Sequence, residues 1–163
     1  MAVQMLEPVA TVSGGLALSG RPEQCREARL WARSLLCPFP DVVDAVELVA
    51  SEFFTNAIRY TASGRPGGCV GLTLVGLASG VVHLEVVDQG CAEGTAAVLP
   101  PALDRTHGRG LFLAEALAQA WGQVPTGGDP RYGPFAAAPD GHRGPLVTWA
   151  HFLTKIRPAP VME

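Results

Sequence analysis

Residues 52–57, Glu52-Phe-Phe-Thr-Asn56-Ala57, place a carboxylate and a carboxamide four positions apart in a segment with helical periodicity. At about 3.6 residues per turn, such positions lie on one face of a helix. This face runs beside an apolar stripe, which consists of Val42, Ala45, Val49, Phe53 and Ala57. We therefore predict a helix from Asp41, as its N-cap, to about Tyr60. Glu52 and Asn56 are either an ordinary solvated pair or part of a site.

A second informative stretch is a predicted strand that ends in an acidic residue. One parity of this strand is apolar except at its end: Val82, Leu84, Val86, Asp88. His83 and Glu85 have the other parity, so we predict one face covered by helices and one partly wet face. Asp88 points toward the covered face, where its carboxylate needs a donor or a shifted pKa. It either accepts a hydrogen bond from an exocyclic amine such as that of adenine, with Gly90 giving room for a flat ring, or caps the following turn.

The third stretch, Gly108-Arg-Gly-Leu111, opens another predicted helix. The free N–H groups and the positive dipole end of a helix N-terminus bind anions, and flanking glycines let phosphate oxygens approach. Arg109 either reaches a phosphate or stays in solvent. The alternative is a flexible loop that joins a helix, because a single GxG motif is weak evidence for a site.

The helix pair adds chemistry that suits a nucleotide pocket. Mg²⁺ prefers oxygen ligands and takes few of them from protein, so the amide oxygen of Asn56 fits that role. Glu52, one turn away, is placed to orient or deprotonate a hydroxyl that attacks a γ-phosphate. Each of the three stretches is ordinary alone, but together they have the order that a nucleotide pocket needs.

The remaining elements follow from periodicity and turn signals. We predict a strand or short hairpin at 9–19, a helix from Pro22 to about Cys37, strands at 69–77 and 81–88, a helix from Gly108 to about Gln119, and a closing strand at 146–153. A loop at 91–107 and an irregular Gly- and Pro-rich stretch at 122–145 complete the chain. The pattern predicts one domain over residues 1–163.

Composition narrows the class of protein. The net charge of -3 and the absence of a basic run argue against direct nucleic-acid binding. No run of about 18 apolar residues occurs, so no membrane span is expected, and residues 1–8 lack the basic start of a signal peptide. The four cysteines, Cys25, Cys37, Cys69 and Cys91, form no CxxC pair, so neither zinc nor a disulfide framework is expected. A cytoplasmic protein with reduced thiols is the simplest expectation.

The three stretches together resemble the motifs of a known superfamily. Glu52-x-x-x-Asn56-Ala57, Asp88-x-Gly90 and Gly108-x-Gly110-Leu111 look like the asparagine box and the two glycine boxes of GHKL ATPases. The resemblance covers roughly residues 20–153. It extends to the small single-domain branch, the anti-sigma-factor serine/threonine kinases of actinobacteria. These proteins share a Trp-Gly after the third helix and an aromatic residue in the last strand, which are Trp121-Gly122 and Trp149 here.

The resemblance implies the Bergerat fold, an α+β two-layer sandwich with a mixed, mostly antiparallel sheet and helices on one face. It implies ATP and Mg²⁺ as cofactors, a core at about 20–153 and a mobile lid at about 91–107. Glu52 would be the catalytic base, Asn56 the Mg²⁺ ligand and Asp88 the residue that reads adenine. The other nucleotide-binding residues would be Gly90, Gly108, Arg109, Gly110 and Leu111.

Three features depart from the family pattern. Gly90-Cys91-Ala92 lacks the second glycine of the first glycine box, which implies a stiffer lid hinge. Leu146 stands where relatives often have Thr or Lys, so a polar contact near the nucleotide is missing unless a different strand register lets Thr148 replace it. The stretch at 122–145 is longer than usual. These departures bear on catalysis more than on nucleotide binding.

The first predicted helix places Arg26, Arg29 and Arg33 on a similar face. This face is either simply solvated or, as the resemblance implies, part of a surface for a sigma factor or an anti-anti-sigma protein; a homodimer is typical of the family.

Two functions compete: a serine/threonine kinase that phosphorylates the anti-anti-sigma protein, and an ATP-binding partner switch without turnover. A detached histidine-kinase-like ATPase domain would need its phosphoacceptor from another chain. A topoisomerase-like ATPase would need a transducer domain, and an α/β domain without a nucleotide is the last alternative.

Overall fold

Three helices and five strands make up the part of the chain that the structure, a computed structural model, describes: residues 9–91, 109–126 and 143–156. In chain order they are β1 (Ala10–Ser19), α1 (Gln24–Leu35), α2 (Val43–Tyr60), β2 (Cys69–Leu77), β3 (Val81–Val87), α3 (Arg109–Leu117), β4 (Ala120–Pro125) and β5 (Leu146–Leu153). A short 3-10 turn, Ala62–Gly64, follows α2. None of the helices in these ranges is long and apolar enough to cross a membrane.

The strands form one sheet in the order β1-β2-β3-β5-β4, and every neighbouring pair is antiparallel. β1 is one continuous strand, not a hairpin. One face of the sheet is covered: α1 packs on β1 and β2, α2 packs on β2 and β3, and α3 packs on α2 and β4. The core side chains of this face come from strands on both sides of the sheet centre: Leu72, Leu74, Val82, Leu84, Val86, Ala150 and Phe152. The predicted α+β class, with helices on one face of a mostly antiparallel sheet, is confirmed.

The central helix α2 is buried over a wider face than its predicted stripe. Val46, Ala50 and Phe54 are fully buried in addition to the predicted Val49, because α2 lies between α1, α3 and the sheet. A buried helix with this apolar content derives its stability from packing more than from helix propensity.

Asp41 does not cap α2, so the predicted N-cap was wrong. Val42 holds the N-cap position, and no side-chain hydrogen bond caps the helix. The carboxylate of Asp41 instead accepts hydrogen bonds from the hydroxyl of Thr154 and, at 2.7 Å, from the backbone N–H of Lys155. The bond from Thr154 is the main cause that lowers the pKa of Asp41. These bonds fasten the residues after β5 to the start of α2, and their partners are too distant in sequence for a local capping rule to find.

Residues 120–125 form a strand, although the sequence predicted irregular structure from residue 122 onward. Gly122 and Pro125 are poor strand formers. β4 nevertheless pairs with β5 from Ala120–His151 to Pro125–Leu146, and its position at the edge of the sheet tolerates a proline. Most of the predicted lid, and residues 127–142 of the predicted irregular stretch, lie outside the described residues. The single-domain organisation stays a prediction.

The opposite face of the sheet, on which none of the described helices packs and which we call the helix-free face, is more buried than predicted. His83 and Trp149 are only 5% and 4% exposed. The ring centroids of His83 and His151 are 4.7 Å apart, those of Trp149 and His151 are 4.8 Å apart, and His83 Nε2 lies 2.7 Å from Glu85 Oε1. Burial, followed by the proximity of His83, lowers the pKa of His151. The wet-face prediction failed at His83 because its cross-strand neighbours on β5 are aromatic, and strand pairing cannot be read from one strand alone.

Candidate functional site

Asp88 lies directly beyond the end of β3, and the residue is 8% exposed. Its Oδ1 accepts hydrogen bonds from the backbone N–H of Gly90 at 2.7 Å and of Leu146 at 3.3 Å. The N–H of Asp88 donates to the carbonyl of Leu146 at 3.0 Å, which continues the β3–β5 pairing by one residue. The parity argument thus placed the carboxylate correctly, and the turn-capping role that the sequence left open is present. Since this role occupies Oδ1, it does not decide whether Asp88 also binds a base.

The backbone conformation and the close neighbours at position 90 require a glycine. Its φ is +77°, and a Cβ there would lie 2.5 Å from the carbonyl carbon of Gly144 and 2.6 Å from the carbonyl oxygen of Arg143. The N–H of Cys91 donates to the same carbonyl of Arg143 at 2.8 Å. The glycine therefore makes room for the chain just before β5. Its predicted role in admitting a flat ring remains a prediction.

A network of short hydrogen bonds ties the end of β3 to the end of α2. The N–H of Ala62 donates to the carbonyl of Gly90 at 2.7 Å, and the N–H of Gln89 donates to the hydroxyl of Ser63 at 3.0 Å. Gln89 Oε1 in turn accepts from the N–H of Cys69 at 3.0 Å. The sequence did not single out Ser63 or Gln89, because their contribution depends on contacts between distant segments. These bonds hold the Asp88 turn against the 3-10 turn that follows α2.

Glu52 and Asn56 lie on a flank of α2 that faces away from α1. Arg33 of α1 bonds to Glu47 of α2, so Glu47 marks the α1 side. Five residues, or about 140° of rotation, separate Glu47 from Glu52, which places Glu52 and Asn56 on the opposite flank, beside α3. Both side chains are half-buried, and neither makes a hydrogen bond or ion pair within the described ranges. Their oxygens are available to other partners.

Glu52 and Asn56 of α2 lie toward the same end of the sheet as Asp88. Ala62, just after α2, bonds to Gly90, so the C-terminal end of α2 meets the C-terminal end of β3. Asn56 lies about one helical turn before the end of α2, and Glu52 one turn further. The three candidate side chains thus come from two elements that meet at one edge.

The connection between α3 and β4 indicates that the start of α3 lies near that edge as well. α3 turns into β4, which begins opposite His151 and ends opposite Leu146, the partner of Asp88. A chain that reverses between a helix and a strand leaves the helix N-terminus near the strand's far end. Arg109, Gly110 and Leu111 form the first turn of α3, as predicted for a phosphate-binding helix start. Gly108 and the side chains of Arg109 and Leu111 lie outside the described atoms.

Beside Asp88, the covered face of the sheet carries Leu146 and then Thr148. Leu146 bonds to Asp88 through its backbone: its N–H donates to Oδ1, and its carbonyl accepts from the N–H of Asp88. Thr148 is 8% exposed and stands opposite Val86 on the covered face, whereas Leu146 stands opposite Asp88, so the register does not put Thr148 in the place of Leu146. Its Oγ1 accepts a 3.1 Å hydrogen bond from Gln123 Nε2 on β4. The sequence did not indicate a role for Gln123, because β4 was not predicted.

The family follows from comparison of the sequence. The model of the histidine kinase-like ATPase domain matches residues 18–129, which is more than half of the chain. The chain belongs to this family. No curated protein sequence matches it. The matched region of this ATPase domain contains the helix pair, the strand-end aspartate and the start of α3, and membership identifies an ATP-binding domain of the GHKL type.

The residues present fit a nucleotide. A buried carboxylate at a strand end, two side-chain oxygens on the flank of a neighbouring helix and a helix N-terminus directed to the same edge provide an acceptor for an amine, ligands for a cation and donors for phosphate. Within the described ranges no three His, Cys, Asp or Glu side chains form a group that could hold a metal ion. A Mg²⁺ ion held by Asn56 would therefore depend on phosphate oxygens and water for its other ligands.

Proposed function

We propose that this ATPase domain is an ATP-dependent serine/threonine protein kinase of the anti-sigma-factor type. It would transfer the γ-phosphate of ATP to a serine or threonine of an anti-anti-sigma protein, and so control a sigma factor in the cytoplasm by exchange of partners. The observation that supports it is the position of Glu52 and Asn56, whose side chains make no hydrogen bond or ion pair among the residues that the structure describes, near the sheet edge that holds the buried Asp88.

Each residue has a defined task in this proposal. Asp88 accepts the exocyclic amine of adenine, and the backbone N–H groups at the start of α3 bind phosphate oxygens. Asn56 ligates Mg²⁺, which neutralises charge on the phosphates when bound. Glu52 orients the substrate hydroxyl and takes its proton as the hydroxyl oxygen bonds to the γ-phosphorus. The bond from that phosphorus to the bridging oxygen of ADP breaks, and ADP leaves. Positioning and charge stabilisation provide most of the rate in such transfers.

A phosphotransfer assay with a matched control tests this role. Glu52→Gln removes the base but keeps the size of the side chain, and Asp44→Asn makes the same chemical change at a 94% exposed side chain of the same helix. With radiolabelled ATP and anti-anti-sigma proteins from the same genome, we expect Glu52→Gln to lower phosphorylation by about 10²–10⁴-fold and Asp44→Asn to leave it within twofold. Equal activity of native protein and Glu52→Gln would remove the proposed mechanism.

The second candidate is an ATP-binding module that exchanges partners without turnover. Leu146 supports it, because an apolar side chain stands opposite Asp88 where a polar contact is usual in the resembling family. Nucleotide binding without phosphotransfer to any anti-anti-sigma protein would favour this module, whereas robust transfer would exclude it.

The proposed partner surface on α1 is smaller than the sequence indicated. Arg33 bonds to Glu47 at 3.0 Å and to Asp44 at 2.9 Å, and these bonds raise its pKa further above the ordinary value. The positive charge of Arg33 is therefore paired with two carboxylates of α2. Arg29 is exposed, and Arg26, with a 70% exposed side chain, makes only a 3.8 Å surface ion pair with Glu27, so these two remain for an acidic sigma factor or anti-anti-sigma protein. A homodimer remains a proposal as well.

A further inference from the structure

Three polar side chains form a diagonal row on the covered face of the sheet. Asp88 follows β3, Thr148 lies on β5 and Gln123 on β4, and the row crosses three neighbouring strands. Thr148 is the diagonal neighbour of Asp88, at a separation of about 7–8 Å between such positions. The surroundings are otherwise apolar, since Val86 is 1% exposed and Leu146 adds only a backbone N–H beside the carboxylate.

In the hydrogen bond between Gln123 and Thr148, the hydroxyl of Thr148 is the acceptor. Gln123 Nε2 donates to Thr148 Oγ1, so one lone pair of the hydroxyl is used and its proton is still available. Within the described ranges the hydroxyl makes no other hydrogen bond, although Thr148 is more than nine-tenths buried. A buried hydroxyl proton without an acceptor is costly, and a ligand atom that accepts at this place would remove that cost.

We propose that Gln123 is a positioning residue for the purine base, acting through Thr148. This inference rests on the proposed ATP binding and specifies how the base is read. Asp88 accepts the amine at the 6-position of adenine, and Thr148, held by Gln123, donates to the adjacent ring nitrogen, which is an acceptor in adenine. Hypoxanthine and guanine present a carbonyl at the 6-position and an N–H at that ring nitrogen. The carboxylate of Asp88 would then face another acceptor, and the hydroxyl of Thr148 would face another donor. The row therefore selects adenine nucleotides.

Reversing one hydrogen bond tests the proposal. In Gln123→Glu the carboxylate accepts from Thr148 and draws the hydroxyl proton away from the base, so Thr148 presents a lone pair instead. We expect the ratio of ADP to IDP affinity, measured by calorimetry, to fall by about five- to tenfold, the equivalent of one hydrogen bond. The added charge weakens both nucleotides alike, and the ratio removes that common effect. Gln123→Leu, which leaves the hydroxyl free to rotate, should lower the ratio less.

A double-mutant cycle separates positioning from a general structural effect. Thr148→Val keeps the shape but removes the hydroxyl, so Gln123→Glu in that background should leave the ratio within twofold. Thermal unfolding of each variant confirms that it is folded. Native protein that binds ADP with an ADP-to-IDP ratio unchanged by Gln123→Glu would overturn this inference alone. Native protein that binds neither nucleotide would overturn the proposed ATP site and this inference with it.

Discussion

Replacing Asp88 by asparagine separates its structural role from its proposed role in binding. Asparagine keeps an oxygen that can accept the N–H groups of Gly90 and Leu146, which lie 2.7 Å and 3.3 Å from Oδ1. These two bonds lose their charge assistance but are kept, so we expect the free energy of unfolding to fall by about 1 kcal/mol. The fold should therefore survive the substitution.

The effect on ADP binding should be much larger. An amide facing the exocyclic amine of adenine either loses the charge-assisted hydrogen bond or opposes one donor to another. A hydrogen bond to a charged group contributes about 1.5–3 kcal/mol, which corresponds to a loss of about 10- to 150-fold in affinity. Calorimetric titration with ADP, with and without Mg²⁺, measures it. The loss should be the same in both conditions, because Asp88 contacts the base and not the cation.

The matched control is Asp41→Asn. Asp41 is another aspartate that accepts a backbone N–H, at 2.7 Å from Lys155, at the other end of α2. The same substitution there should leave the ADP affinity within twofold. If Asp88→Asn binds ADP as tightly as the native protein does, Asp88 does not read the base. If both variants weaken binding equally, the effect is one of general destabilisation.

Three further predictions concern the frame of the site. Gly90→Ala forces alanine to a φ of +77° and a Cβ against Gly144, so urea denaturation should show a loss of about 2–4 kcal/mol. Because burial lowers the pKa of His151, the unfolded state binds more protons below about pH 6.5; stability should fall as the pH drops through that value, and less so in His151→Gln. Asp41→Asn should lower the melting temperature at pH 7, and the difference should shrink as the pH falls below the ordinary carboxyl pKa of 3.8, because the lowered pKa of Asp41 gives a contribution that is full above that value and is lost as the pH falls through the folded-state pKa.

Local patterns predicted the elements that carry the site. The stripe through Val49 and Phe53 predicted α2, since a helix packed on a sheet must bury one face. The alternation that ends in Asp88 predicted both β3 and the inward direction of the carboxylate, because side chains of one parity share a face. The helix pair and the aspartate were therefore found without knowledge of the tertiary structure.

Features that depend on pairing between distant segments were missed. β4 contains Gly122 and Pro125, so its local propensity is poor, and only the pairing with β5 makes it a strand. Gln123 was missed as well, because it lies on β4. The capping rule assigned Asp41 to its own helix, whereas the geometry brings Thr154 to it from the end of the sheet. In each case a contact between residues far apart in sequence outweighs the local preference.

The central claim is that ADP binds between the C-terminal half of α2 and the end of β3. Backbone amide chemical shifts recorded by NMR during an ADP titration test it most directly. We expect the largest shifts at Asn56, Gly90 and Leu146, and none above noise at His83 and His151 on the helix-free face. Saturable shifts confined to the helix-free face, or none anywhere at millimolar ADP, would contradict the claim.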